Sequence, residues 1–161
     1  MLEARRISPS GLTADGTPRL LAWLLAHGAD EFTIAVKALR DEPGPVADAF
    51  EDALAPFELP AAPRPTPDAD AATELTRHVR RWALTADSLA ALLPFLSLGL
   101  FEPRVGPSGW LEDLAIRRRG EPLLAVHTHE REAVLRLTPA EHAEVESLGV
   151  ASWTGGAGLD G

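Results

Sequence analysis

The chain contains no cysteine. Disulfides, thiolate metal sites and cysteine nucleophiles are excluded, and a metal would have to be held by imidazole and carboxylate groups. Lysine is almost missing too. Lys37 is the single one among 15 basic residues, which face 24 acidic residues for a net charge of -9. Such a chain lacks the positive field that a phosphate backbone requires, so nucleic-acid binding is not expected. The arginine, alanine and proline usage resembles bacterial high-GC coding, so the arginines carry no presumption of phosphate recognition. Apolar runs are short or interrupted. The longest, near Leu20–Ala26 and Leu89–Phe101, do not reach the ~20 residues a membrane helix needs. Met1–Arg6 is not followed by an apolar signal segment. The expectation is a cytoplasmic protein with no membrane partner and no cofactor. There is no glycine-rich phosphate loop, dinucleotide fingerprint, zinc-helix motif or internal repeat.

What is present suffices for a core. The 161 residues are 45% hydrophobic with a mean hydropathy of -0.03, which suits one globular domain. The most structured stretch runs from Trp110 to Leu148. Glu112–Arg117 alternates, Arg119-Gly120-Glu121 suits a three-residue hairpin loop with Gly120 at positive φ, and Glu130-Arg131 suits a two-residue turn. That meander pairs Ile116 with Leu124, Leu114 with Val126, and Val126 with Leu135. Leu114, Ile116, Leu124, Val126, Leu135 and Leu137 then share one face. Asp113, Arg117, Ala125, His127, His129, Glu132, Val134 and Arg136 share the other, with Asp113 across from His127. Thr138-Pro139-Ala140-Glu141 is a capping box with proline in the first helical turn, and Gly149 stops the helix.

Upstream, Leu2–Ile7 fits an edge strand. Thr17-Pro18 starts a helix, capped by His27 and stopped at Gly28, whose Leu20, Leu21, Trp23, Leu24 and Leu25 leave almost no polar face. Glu31–Leu39 alternates as a strand. A helix over Pro45–Ala55 presents Val46, Ala49, Phe50, Ala53 and Leu54 inward. Pro56, Pro60, Pro63, Pro65 and Pro67 make a polyproline-like strap over 56–69. A further helix is expected after Asp70, with Leu75, Val79 and Trp82 inward. Thr85 caps another, which Pro94 kinks or ends. The apolar segment 95–101 reads as core wall or as a homo-oligomer contact. His78 and His142 read as boundary residues beside helical stripes, and Ala151–Gly161 as a flexible tail around Trp153.

The expected architecture is α+β: a mostly antiparallel sheet, made of the C-terminal three-stranded meander plus an N-terminal strand, with about five helices packed mainly on one face. Residues 1–150 would form a single domain. Two sets of residues are candidates for function. His127-x-His129 puts two imidazoles on one side of a strand, roughly 7 Å apart, and with Asp113 they make a candidate metal set or acid–base pair. From Asp41 to Glu58 there is no basic residue, and Asp48, Glu51 and Asp52 lie on the outer side of their helix. That acidic face fits a non-catalytic interaction module, of the inhibitor, immunity-type or accessory kind, docking a partner with a basic surface. The competing expectation is a small enzyme or metal-binding protein using the open sheet face around Asp113, His127 and His129.

Overall fold

The computed structural model describes residues 1–12, 15–39, 44–60, 75–103 and 109–154, with backbone alone at 38–39 and 75–78. Six strands form one antiparallel sheet: β1 Glu3–Ile7, β2 Glu31–Leu39, β3 Leu75–Ala83, β4 Gly109–Arg118, β5 Glu121–His127 and β6 Glu132–Leu137, in the order β1-β6-β5-β4-β2-β3. Four helices accompany it: α1 Gly16–Ala26, α2 Pro45–Leu54, α3 Ala86–Leu92 and α4 Pro139–Ser147. The architecture is the expected α+β one, with four helices and three single 3₁₀ turns among the described residues where about five helices are expected. No helix among the described residues is long and apolar enough to cross a membrane.

Alternation decides which face is covered. Phe32, Ile34, Leu114, Ile116, Leu124, Val126, Leu135 and Leu137 are all buried, in one cluster with Leu20, Leu21, Leu24, Phe50, Leu54 and Leu92 from the helices. The six residues expected inward from the meander are all in it. The rings interlock at its centre: Phe32 stacks on Trp82 at 5.4 Å, and Phe50 meets Trp82 and Phe95 edge-on at 5.2 Å each. Such pairs add about 0.5–1.5 kcal/mol each beyond area burial.

The turns differ from the expected ones in a way that keeps the faces. The β4–β5 loop has two residues, Arg119 and Gly120, both at positive φ (52° and 83°), as a type I′ turn demands. A bulge at Leu123 in β5 supplies the missing residue, so Ile116 still faces Leu124. Between β5 and β6, His127 pairs with Glu132 and the turn spans Thr128–Arg131. That shifts the pairing by two residues from the expected one: Val126 lies opposite Ala133, and Leu124 opposite Leu135. A shift of two leaves the paired side chains on their expected faces.

The largest correction is β3. The helix expected after Asp70 would have covered Leu75–Trp82, but that stretch pairs with β2 along its whole length, Leu39↔Leu75 through Glu31↔Ala83. Residues 61–74, with most of the proline strap, lie outside the described residues. Trp82 points to the core while Val79 is exposed on the other face. β-branched Thr76 and Val79 suit a strand, and the ladder to β2 outweighs the helical spacing of the apolar residues. Glu58 bridges Trp82, and the Leu59 N–H donates to the Arg81 carbonyl at 2.9 Å, so the strap's start lines the β3 edge.

Smaller differences follow from packing. In α2 it is Ala47, Phe50 and Leu54 that are buried, while Ala49 is exposed. α1 begins at Gly16, and Thr17 is inside it, fully buried, its Oγ1 accepting the Leu100 N–H at 3.1 Å. Phe95, Leu96, Leu100 and Phe101 belong to the core, and only Leu98 of that segment's large side chains is strongly exposed. Of the expected flexible tail, Ala151–Thr154 is described, with 155–161 outside the described residues, and Ala151 and Trp153 are bonded to the rest of the fold. Arg6 and Trp153 exchange two backbone hydrogen bonds (2.8 and 3.0 Å), and the Ala151 N–H donates to Gly11. His142 is fully buried, its Nε2 3.0 Å from the Glu3 carbonyl, and Arg5 reaches Glu146 at 2.8 Å. Helix α4 and Trp153 therefore both fasten β1.

Candidate functional site

Strand β4 carries a second bulge, and it builds the site. Thr33 pairs with Ala115, but Ala35 pairs with Glu112, so three residues of β4 span two of β2. Asp113 sits in the gap at φ 54°, a left-handed conformation that Asp tolerates better than most residues. Its N–H donates to Thr128 Oγ1 (2.8 Å), and its Oδ1 accepts the Thr128 N–H (3.0 Å). The bulge is thereby clipped to the β5–β6 turn. Bulges often re-aim a side chain beside a functional site.

The re-aimed side chain is Glu112, 2% exposed. Lys37 Nζ lies 2.7 Å from its Oε1, and His129 Nε2 lies 2.9 Å from its Oε2. Burial alone would push the carboxyl pKa up. The hydrogen bond and charge of Lys37, joined by those of His129, outweigh burial and hold it below the ordinary range. An ionised carboxylate only accepts, so His129 carries its proton on Nε2 and donates. The Lys37 ammonium also lies 5.9 Å from the Trp110 ring centroid, within cation–π reach.

Beside this group opens a cavity of about 600 Å³. Leu98, Phe101, Pro103, Trp110 and Leu111 form its apolar walls; Glu102, Glu112, Thr128 and His129 supply the polar ones. Glu102 is bonded to Arg131 at 2.8 Å. Leu98, 69% exposed, stands where the cavity meets solvent.

The expected metal set is not assembled here. Asp113 is engaged with Thr128, His129 with Glu112, and His127 is exposed opposite Glu132. Among the described residues, no three His, Asp or Glu side chains form a group that could hold a metal ion. The cause is local: the bulge takes Asp113 out of the alternation, and the four-residue turn takes His129 off the strand. Glu112, Lys37, Thr128 and the apolar walls were missed. One signal was present: Leu111 and Leu114 are both core residues of opposite parity, which a strand reconciles only by inserting a residue.

The acidic set is placed as expected on the outside of α2, where Asp48 and Asp52 are exposed. It does not lack a cation. Arg80 of β3 stands 3.4 Å from Glu51 and 3.5 Å from Glu58. The Arg117-Arg118-Arg119 run is tied down as well: Arg117 lies 4.0 Å from Glu31, Arg118 bonds Glu141 and the His27 carbonyl, and the Arg119 N–H donates to Asp30. His27 is the expected cap, its Nδ1 2.8 Å from the Trp23 carbonyl and its Nε2 3.1 Å from Glu144. Comparison with protein-family models, curated proteins and solved structures finds no match.

Proposed function

We propose that this protein acts by binding, without catalysing a reaction, and that a small molecule occupies the cavity beside Glu112. The observation that carries the reading is the cavity itself: about 600 Å³, apolar walls and a few fixed polar groups. Ligand sites have that size and composition, about 300–1,000 Å³ with few convergent polar groups. The polar groups suit holding more than chemistry. Glu112 is a weakened proton acceptor because Lys37 and His129 stabilise its charge, and Thr128 Oγ1 already receives the Asp113 N–H. Titration with Nile red, an uncharged fluorescent probe of drug-like size, tests it. The expected result is saturable 1:1 binding that weakens about tenfold in Leu98→Asp, a surface change at the cavity mouth. Fluorescence that never saturates, or is indifferent to Leu98, removes the reading.

A second reading keeps the acidic face of α2 as a docking surface for a basic protein, as an inhibitor, immunity-type or accessory protein would use it. It is favoured by Asp48 and Asp52, exposed at i, i+4 where like charges give a helix no stability, and it is weakened by Arg80, which takes up Glu51. Neutralising Asp48, Glu51 and Asp52 should leave the melting temperature within a few degrees and slow association with the partner several-fold at low salt. A partner retained equally by the triple variant, at any salt, ends this second reading.

A further inference from the structure

We infer that the ligand of this cavity is uncharged: a mainly hydrocarbon molecule with a single hydroxyl or carbonyl group at the Thr128 end. The inference rests on the cavity being the binding site and goes on to name what it selects. Its ground is the charge balance of the wall. Glu112 is shared between Lys37 and His129, with both carboxylate oxygens engaged at 2.7 and 2.9 Å. Glu102 is engaged by Arg131 at 2.8 Å. Both carboxylates among the described lining residues are thus matched by cations before any ligand arrives. An ammonium group would have to displace Lys37 or His129 from Glu112. A carboxylate would enter beside Glu102 and Glu112 and leave its own charge uncompensated. Either ion loses its water without gaining a partner among the described lining residues, the costly case for a buried charge.

A neutral group has a place. Thr128 Oγ1 accepts the Asp113 N–H, and a hydroxyl that accepts one bond still has its own proton to donate. A ligand oxygen can take that proton. The hydrocarbon part meets Leu98, Phe101, Trp110 and Leu111, where burial of apolar area supplies the affinity.

The test is a matched series with one chain and three head groups: 1-decanol, decanoate and decylamine, displacing Nile red at neutral pH below their aggregation concentrations. Decanol should displace at a concentration at least tenfold lower than either ion. Two variants then re-aim the preference. Glu112→Gln leaves Lys37 uncompensated and should improve decanoate at least tenfold relative to decanol. Lys37→Met leaves the carboxylate uncompensated and should do the same for decylamine. If decanoate or decylamine matches decanol on the unaltered protein, the charge argument is overturned while the cavity stands as a binding site. If Nile red does not bind at all, the binding reading falls and this inference with it. If sedimentation shows two chains sharing one probe molecule, a second copy covers the cavity and the inference is likewise overturned. The unaltered protein decides the question even if a variant fails to fold.

Discussion

Glu141 offers the sharpest test of how α4 is anchored. Thr138 Oγ1 accepts the Glu141 N–H at 3.3 Å, while Glu141 Oε2 accepts from the Thr138 N–H at 2.8 Å and from its hydroxyl at 2.9 Å. The other carboxylate oxygen accepts from Arg118 Nη1 at 2.7 Å. The Arg118 hydrogen bond is the chief cause, against an opposing burial effect, of a pKa lowered from 4.5 to about 2. At ~1.36 kcal/mol per tenfold, that drop corresponds to about 3.4 kcal/mol. Glu141 keeps 17% of its side chain exposed, and screening brings the working figure to about 2 kcal/mol. A folded-state pKa below the unfolded one stabilises the fold above about pH 4.5, and the gain disappears as pH falls toward about 2. Glu141→Gln keeps the shape and removes the charge. At pH 7 the variant should be less stable by about 2 kcal/mol, a fall of roughly 4–8 °C for a domain of this size. Urea unfolding at pH 7, 5, 4 and 3, followed by tryptophan fluorescence, should show a gap between the two proteins that is nearly constant from pH 7 to 5 and closes through pH 4 and 3. A gap of the same size at pH 7 and pH 3 would refute the argument, because the carboxylate's charge would then not be what holds the helix.

Other outcomes follow from the sheet. Val126→Asp places an unpaired carboxylate in the core beside Ala133 and should destabilise by several kcal/mol; a soluble variant with native circular dichroism would contradict the assigned face. A chain ending at Ser152 loses both backbone hydrogen bonds between Trp153 and Arg6, worth about 1–3 kcal/mol together. Its melting temperature should fall by several degrees, and an unchanged one would mean that Trp153 does not hold β1.

Parity explains what could be read from the sequence. The meander's inner face was legible because side chains repeat every two residues, and errors of two in the β5–β6 pairing leave that repeat intact. The β4–β5 loop was read one residue too long, and the bulge at Leu123 cancelled the error. The bulge at Asp113 has no such cancellation: the sequence pattern sets Asp113 across from His127, and the structure joins Glu112, one residue away, to His129, two away. Leu75, Val79 and Trp82 of β3 also fit a helical spacing, and only the pairing with β2, from residues 36 to 52 positions away, decides between the two. Arg80 was consequently not seen as the neighbour of Glu51. Capping signals were local and legible, as at Thr85, Thr138 and Gly149, where a few adjacent residues contain the whole interaction.

The fastening of β1 has a consequence for how the chain reaches this state. Among the described residues β1 pairs in the sheet with β6 alone, and it also bonds α4 and Trp153; the pair Arg5–Glu146 is 141 positions apart in sequence. Closing so long a loop costs entropy before any contact repays it. The remaining strands, by contrast, include two hairpins whose partners are close in sequence. β1 should therefore dock last in refolding and detach first in unfolding. Hydrogen exchange at Arg6 would then outpace exchange at Leu124 or Leu135, and the sheet would pass through a five-stranded state with β6 as its temporary edge. In that state the unpaired side of β6 is the surface most open to joining another chain.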